Sequence, residues 1–177
     1  MSKRRLTKRF DILNQFIAEH GLFIGAEVGT GNGKTALELL KKNPELILIE
    51  VAYYPGPSIL PKNDYYYCTS GRAKSLWQKR IHRFRKQVRI IPSSSINAAK
   101  KIKEGSLDFA FIDADHSYEH CLQDCKIWFP KVRSGGLMCG HDYHVRRFPG
   151  VVRAVNEVFG RENIQLKQDR FWYLWKS

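Results

Sequence analysis

Phe23-Ile-Gly-Ala-Glu-Val-Gly-Thr-Gly-Asn-Gly-Lys-Thr35 is the stretch that decides the fold. A short apolar run reaches the acid Glu27, Gly29, Gly31 and Gly33 follow on alternate residues, and a helical pattern opens at Lys34. That order predicts a strand, a glycine-rich turn and a helix. Glycine has no Cβ and tolerates positive φ, so the turn lets the backbone approach a ligand closely. The helix start adds unpaired N–H groups and the positive end of its dipole. The stretch is a candidate cradle for a nucleotide-like ligand.

Three patterns compete for this turn. A dinucleotide-binding turn requires G-x-G-x-x-G, but the third glycine comes one residue early and Lys34 takes its place. A phosphate-binding loop requires G-x-x-x-x-G-K-[ST]; Gly33-Lys34-Thr35 supplies its end, while Val28 stands where its first glycine belongs. Glu27-Val-Gly-Thr-Gly-Asn-Gly33 meets the pattern acid-x-G-x-G-x-G in full. It resembles the first motif of class I S-adenosylmethionine-dependent methyltransferases, in which the acid lies near the methionine amino group and the glycines admit the cofactor.

Working outward, 177 residues suffice for one domain with its own core, and we expect a single domain over 1–177. No run approaches the roughly 20 apolar residues needed to span a membrane, and the basic N-terminus lacks an apolar signal core. Cys68, Cys121, Cys125 and Cys139 are too few and scattered for a disulfide framework, so free thiols in a reducing cytoplasm are expected. The net charge of +13 is the outlier. Five of the first ten residues are Lys or Arg, and Tyr65 to Lys103 holds eleven Lys and Arg with no Asp or Glu. Such a field favours an acidic or nucleic-acid partner, with the basic surface 72–89 as its place; a solvated basic surface is the plain alternative.

Along the chain, Leu6, Phe10, Leu13 and Ile17 recur at helical spacing, predicting a helix over 4–20 with Gly21 as its C-cap. Leu22 to Glu27 reads as a strand, Lys34 to Lys42 as a helix stopped by Asn43-Pro44, and Leu46 to Val51 as a buried parallel strand. Residues 52–71, rich in Pro, Tyr and Gly, read as a substrate or lid loop. A helix is expected over 72–87, with Trp77, Ile81 and Phe84 inward and Arg72, Lys79, Arg80, Arg83 and Lys86 outward. Val88–Ile91 and Leu107–Asp113 are strands, with a short helix between them reaching about Lys103. Ser117 is a candidate cap for a helix to Phe129. Ser134-Gly-Gly136 should turn into a strand over 137–140, a helix should follow over 149–159, and 164–167 with 171–175 should close a hairpin. Strands alternating with helices predict an α/β, doubly wound, mostly parallel sheet with an antiparallel C-terminal hairpin.

In such a sheet ligands bind beyond the carboxyl ends of the strands, which places Asp113, Asp115 and His116 at a site mouth. Ile112-Asp-Ala-Asp-His-Ser-Tyr-Glu119, Gly135-Gly136 and His141-Asp142-Tyr143, taken with the Glu27 motif, resemble the small O-methyltransferase family related to catechol and macrocin O-methyltransferases. The later segments 148–159 and 171–175 fit it too, so the resemblance spans roughly 22–175.

The resemblance implies S-adenosylmethionine as cofactor and a small-molecule acceptor. It implies that Glu27, Gly29, Thr30, Gly31 and Gly33 hold the methionine part, that Glu50 binds the ribose, that Ser94 and Ser95 lie in the adenine region, and that Asp113 also contacts the cofactor. The chain departs from the family pattern at Ala52-Tyr53-Tyr54, where the ribose acid commonly sits, and after the third strand, where an acid is missing. In metal-dependent relatives the positions of Asp113, His141 and Asp142 hold a divalent ion; a histidine there suits manganese or zinc better than magnesium, or means no metal. Without metal, His116 or His141 would serve as general base, with Asp113 as a further catalytic candidate. Cys121 and Cys125 lie on one helical face with His120 beside them, which reads as core packing rather than a zinc site. Methylation of RNA or another polyanion, a phosphate-loop NTPase and an inactive binding protein are the alternative functions.

Overall fold

A computed structural model of the chain describes residues 7–54 and 71–177. Most of the expected loop over 52–71, with Cys68 and the basic residues 1–6, lies outside the described residues. The sheet has the strand order β3-β2-β1-β4-β5-β7-β6. β1 (Ile24–Val28), β2 (Ile47–Val51), β3 (Val88–Ile91), β4 (Leu107–Ile112) and β5 (Val132–Gly140) run parallel, while β7 (Phe171–Trp175) pairs antiparallel with β5 and with β6 (Gln165–Lys167). This is the doubly wound sheet with a closing hairpin that the alternation predicts.

The apolar runs of β1, β2 and β4 are buried on both faces because helices cover both. One face carries α1 (Arg9–His20), α2 (Lys34–Lys42) and α3 (Gly71–Ile81), whose Leu13, Phe16, Leu39 and Trp77 pack on Leu48, Phe109 and Phe111. The other carries α4 (Ser95–Ala99), α5 (Tyr118–Trp128) and α6 (Pro149–Phe159), packed on Ala26, Ile49 and Ala110. β7 joins the two layers: Phe171 packs with the first cluster and Trp172 with the second. Cys121 and Cys125 are buried in the second cluster, as core packing requires. No described helix is long and apolar enough to cross a membrane.

Several details differ from the sequence reading, among them the short helix expected to reach about Lys103, which ends at Ala99. α1 starts at Arg9 rather than residue 4, though Gly21 caps it in the left-handed conformation as expected. α3 stops at Ile81 and tightens into a 3-10 turn over His82–Phe84. Like charges three and four residues apart there oppose another α-turn, and the Gln87 amide donates to the Asn43 and Leu46 carbonyls, drawing the chain into β3 beside β2. Ser117 occupies the N-cap position of α5, but its hydroxyl pairs with His120 Nδ1 instead of capping the backbone. Ser134-Gly135-Gly136 lies inside β5 as a bulge: Leu107 faces Val132 while Phe109 faces Leu137. Asp108 organises that bulge, accepting from Arg133 Nε at 2.7 Å and from the Phe23 and Ile24 amides at 2.7 and 2.8 Å.

Because Trp172 is fully buried between β5 and α6, Trp172→Ala should lower the unfolding free energy by about 3–5 kcal/mol in urea denaturation.

Candidate active site

The glycine turn forms between β1 and α2. Gly29, Gly31 and Gly33 all have positive φ, but they answer to different constraints. A Cβ on Gly29 would lie 2.2 Å from the Asp113 carbonyl oxygen, so this glycine lets β1 and β4 close together. Among the described residues, a Cβ on Gly31 would meet nothing within 4 Å, which leaves open space above the turn. Tyr54 and Arg80 brace the turn from outside. The Tyr54 hydroxyl donates to the Gly31 carbonyl at 2.6 Å and lies 2.9 Å from Thr30 Oγ1, while Arg80 Nη1 donates to the Asn32 carbonyl and Oδ1. Lys34, the residue a phosphate loop would aim at its ligand, instead lies over the Phe10 ring.

Register collects the acids. Glu27 sits opposite Glu50 on β2 and opposite Phe111 on β4, so Asp113, two residues further, joins the same face. Glu27 and Glu50 are buried. Burial and then mutual repulsion push Glu27 well above the usual carboxylate range. Burial also raises Glu50 to about 7, although its contacts with Glu27 and Trp77 favour the charge. Trp77 Nε1 donates to Glu50 Oε2 at 2.9 Å. Glu27 Oε2 and Glu50 Oε1 have no hydrogen-bond partner among the described residues.

Beyond the strand ends, Asp113, His141 and Asp142 each bring one ligand atom within 4.8 Å of the others, as the sequence reading expected of a metal trio. His141 Nδ1 lies 3.2 Å from Asp142 Oδ2 and 3.6 Å from Asp113 Oδ1. Burial opposes its charge, yet these two carboxylates outweigh it and push its pKa up to about 9. His116 Nε2 is 2.9 Å from Asp142 Oδ2. Burial again opposes the charge and Asp142 prevails, raising His116. Asp142 adopts φ 60 and is held well below the usual range, because His116 and His141 outweigh its desolvation.

Sequence reasoning missed the cations and the acid that complete this cluster. Arg9, at the start of α1, places Nε 3.2 Å from Asp113 Oδ2, donates to Thr35 Oγ1 and uses its amide to bond Asp169. Arg9 thereby offsets the burial of Asp113, whose pKa is lowered despite desolvation. Arg170 Nη1 lies 3.1 Å from Asp142 Oδ1, and Asp169 Oδ2 lies 3.7 Å from His141 Nε2. Asp169 and Arg170 both have positive φ in the three-residue connection between Lys167 and Phe171, which aims them at the cluster. No local sequence signal marks them; β7 pairing with β5 brings them there. Ser95 Oγ accepts from Trp128 Nε1 at 2.7 Å, and Ser94 stands at the N-cap position of α4 without a side-chain capping bond.

Residues 26–143 match the family model described as a methyltransferase domain, and the chain belongs to that family. Among solved structures it is similar to the O-methyltransferase from Bacillus cereus in complex with SAH, at 16% identity and TM-score 0.69, covering 95% of this chain and 80% of that one. It is also similar to an O-methyltransferase from Streptomyces achromogenes involved in tomaymycin synthesis, in complex with SAM, at 13% identity and TM-score 0.68 over 96% of this chain and 80% of the other. An SAH-bound methyltransferase from Podospora anserina gives 12% identity and TM-score 0.67 over 96% and 78%. At these identities the likeness speaks of the fold alone. No curated protein matches the chain.

The two glycines should respond differently to substitution. Gly29→Ala should lower the melting temperature sharply, whereas Gly31→Ala should cost only the ~1–2 kcal/mol of a left-handed alanine and leave the fold intact. Glu50 has a folded pKa raised to about 7, so its share of stability is present below the ordinary carboxylate pKa of about 4.3 and is lost as pH rises through its folded value. The melting temperature should therefore fall less between acid and mildly alkaline pH in Glu50→Gln than in the wild type.

Proposed function

We propose that the protein is an S-adenosylmethionine-dependent O-methyltransferase acting on a small-molecule hydroxyl, with the chain forming one domain. The observation that carries this reading is the buried, unpartnered Glu27 Oε2 beside the open turn at Gly31. An ammonium group would satisfy that carboxyl, and the open space above Gly31 leaves room for a bulky neighbour. Membership of the methyltransferase family and the SAM- or SAH-bound neighbours of like fold support the same cofactor. Gly29 to Gly33 would cradle its methionine part, Glu50 would reach the ribose through the Oε1 that Trp77 leaves unpaired, and Ser94 would border the adenine. Ser95 would act indirectly, by fixing Trp128.

When bound, the cofactor supplies an electrophilic methyl group. The remaining requirements fall on the chain: alignment of the acceptor oxygen and removal of its proton. His116 is the group we assign to the proton. It is the more exposed histidine of the cluster, and Asp142 fixes its Nε2, leaving Nδ1 to accept. Buried His141, between Asp113 and Asp142, would hold those carboxylates in place. The same three residues fit a divalent ion by the convergence of their ligand atoms, and their mixed nitrogen and oxygen donors suit manganese better than magnesium. If present, such an ion would lower the pKa of an acceptor hydroxyl. The free, buried Cys121, Cys125 and Cys139 support a cytoplasmic location.

Calorimetric titration with S-adenosylmethionine tests the reading. Saturable binding should occur, should disappear in Glu27→Ala and Gly31→Val, and should release protons, since a positive ligand reverses the raised pKa of Glu27. ATP binding in place of S-adenosylmethionine would overturn it. With labelled cofactor and a panel of hydroxylated acceptors, His116→Gln should reduce transfer by about 10²–10⁴-fold while leaving cofactor affinity unchanged.

A further inference from the structure

From Arg72 to Arg89 the chain carries eight cations and no carboxylate. Elsewhere Lys42 pairs with Asp11, Lys131 with Glu104 and Arg133 with Asp108. Among the described residues, Lys74, Lys79, Arg83, Arg85, Lys86 and Arg89 have no carboxylate partner. They run along α3, through the 3-10 turn and into β3, the edge strand of the sheet. Leaving so many like charges uncompensated costs stability through self-repulsion, and an anionic ligand recovers that cost.

Part of this basic segment, the side that carries Lys79 and Arg83, has a shape. A groove of ≈ 450 Å³ lies between α2 and α3, lined by Leu37, Lys41, Leu76, Lys79, Arg80 and Arg83. Its two leucines make an apolar floor, and the cations stand along its walls. Lys41 is partly neutralised by Glu38 at 3.2 Å, so the positive potential is concentrated on the α3 side.

We propose that this face binds single-stranded nucleic acid, with phosphates along the α3 cations and bases against the Leu37–Leu76 floor. The inference stands on charge and shape and is independent of which acceptor is methylated. A short acidic helix would cover the groove alone, whereas Arg72, at i, i+7 and i+11 spacing with Lys79 and Arg83, carries the cation stripe past it toward the start of α3; a repeating backbone charge matches that extent better. Arg80 gives the face a link to the glycine turn, since the guanidinium that lines the groove also holds Asn32. A phosphate drawn to Arg80 competes with Asn32, so occupancy of the groove and of the turn should be coupled.

The test uses the full chain and a short fluorescein-labelled RNA of mixed sequence, followed by anisotropy over a range of salt. Binding should weaken steeply with salt. Lys79→Glu/Arg83→Glu should weaken it by about tenfold or more and flatten the salt slope by roughly 0.7 for each phosphate that is no longer neutralised. That variant leaves Arg80 in place, so its melting temperature and S-adenosylmethionine affinity should match the wild type and exclude misfolding as the cause. An unchanged affinity and slope in the double variant would overturn the proposal, as would the absence of RNA binding at any salt. An acidic peptide of equal charge competing as well as the RNA would overturn it too, and would reassign the face to an acidic protein.

Discussion

Four carboxyls, Glu27, Glu50, Asp142 and the half-buried Asp113, are crowded at the carboxyl edge of the parallel sheet, and their withdrawal from water is the constraint on which this end of the molecule depends. Desolvated carboxylates in such numbers are tolerated only if they are protonated or met by cations. The structure uses both routes. Glu27 and Glu50, deepest in the sheet, are pushed toward the neutral form, whereas Asp113 and Asp142 stay ionised against Arg9, His116, His141 and Arg170. The division follows position: Glu27 and Glu50 lie within strands, under Trp77, while the aspartates lie just past the strand ends, where helix and hairpin residues can reach them.

That arrangement links stability to function. The neutral pair is unfavourable to ionise only while nothing positive sits beside it, so a cationic ligand at the glycine turn would convert an unsatisfied feature into a satisfied one. The ionised pair depends on elements distant in the chain. Arg9 comes from α1 and Arg170 from the closing hairpin, so the site is assembled only when the first helix and the last strands have docked. The hairpin therefore does more than finish the core. Its turn, with Asp169 and Arg170 both at positive φ, carries a local backbone cost beside the acid cluster.

The basic face of α3 shows the opposite treatment of charge. Its cations are left unpaired at the surface, except where Arg80 turns inward to brace Asn32. The inner side of the same helix contributes Trp77, which packs against Gly33 and bonds Glu50. One helix thus touches the glycine turn from both sides.

The alternation of elements, the glycine turn and the acids at the strand ends were all legible in the sequence. Each of these is written in local pattern: apolar runs bounded by Gly, Pro and Asn, and chemistry placed at the end of a strand. α2, β3 and α6 fall on the residues that periodicity and breakers predict. The sequence could also bring Asp113, His141 and Asp142 to one edge, because adjacent parallel strands must end together. What each acid faces was settled by tertiary packing. Whether Glu50 is open or covered depends on Trp77 arriving from α3, and whether Asp113 is neutralised depends on Arg9, more than a hundred residues away in the chain. The Gly135-Gly136 pair, a turn by composition, became a bulge because Asp108 and Arg133 hold it inside β5. Local pattern records which residues lie on a strand, but long-range docking sets their electrostatics, and no spacing in the sequence encodes it.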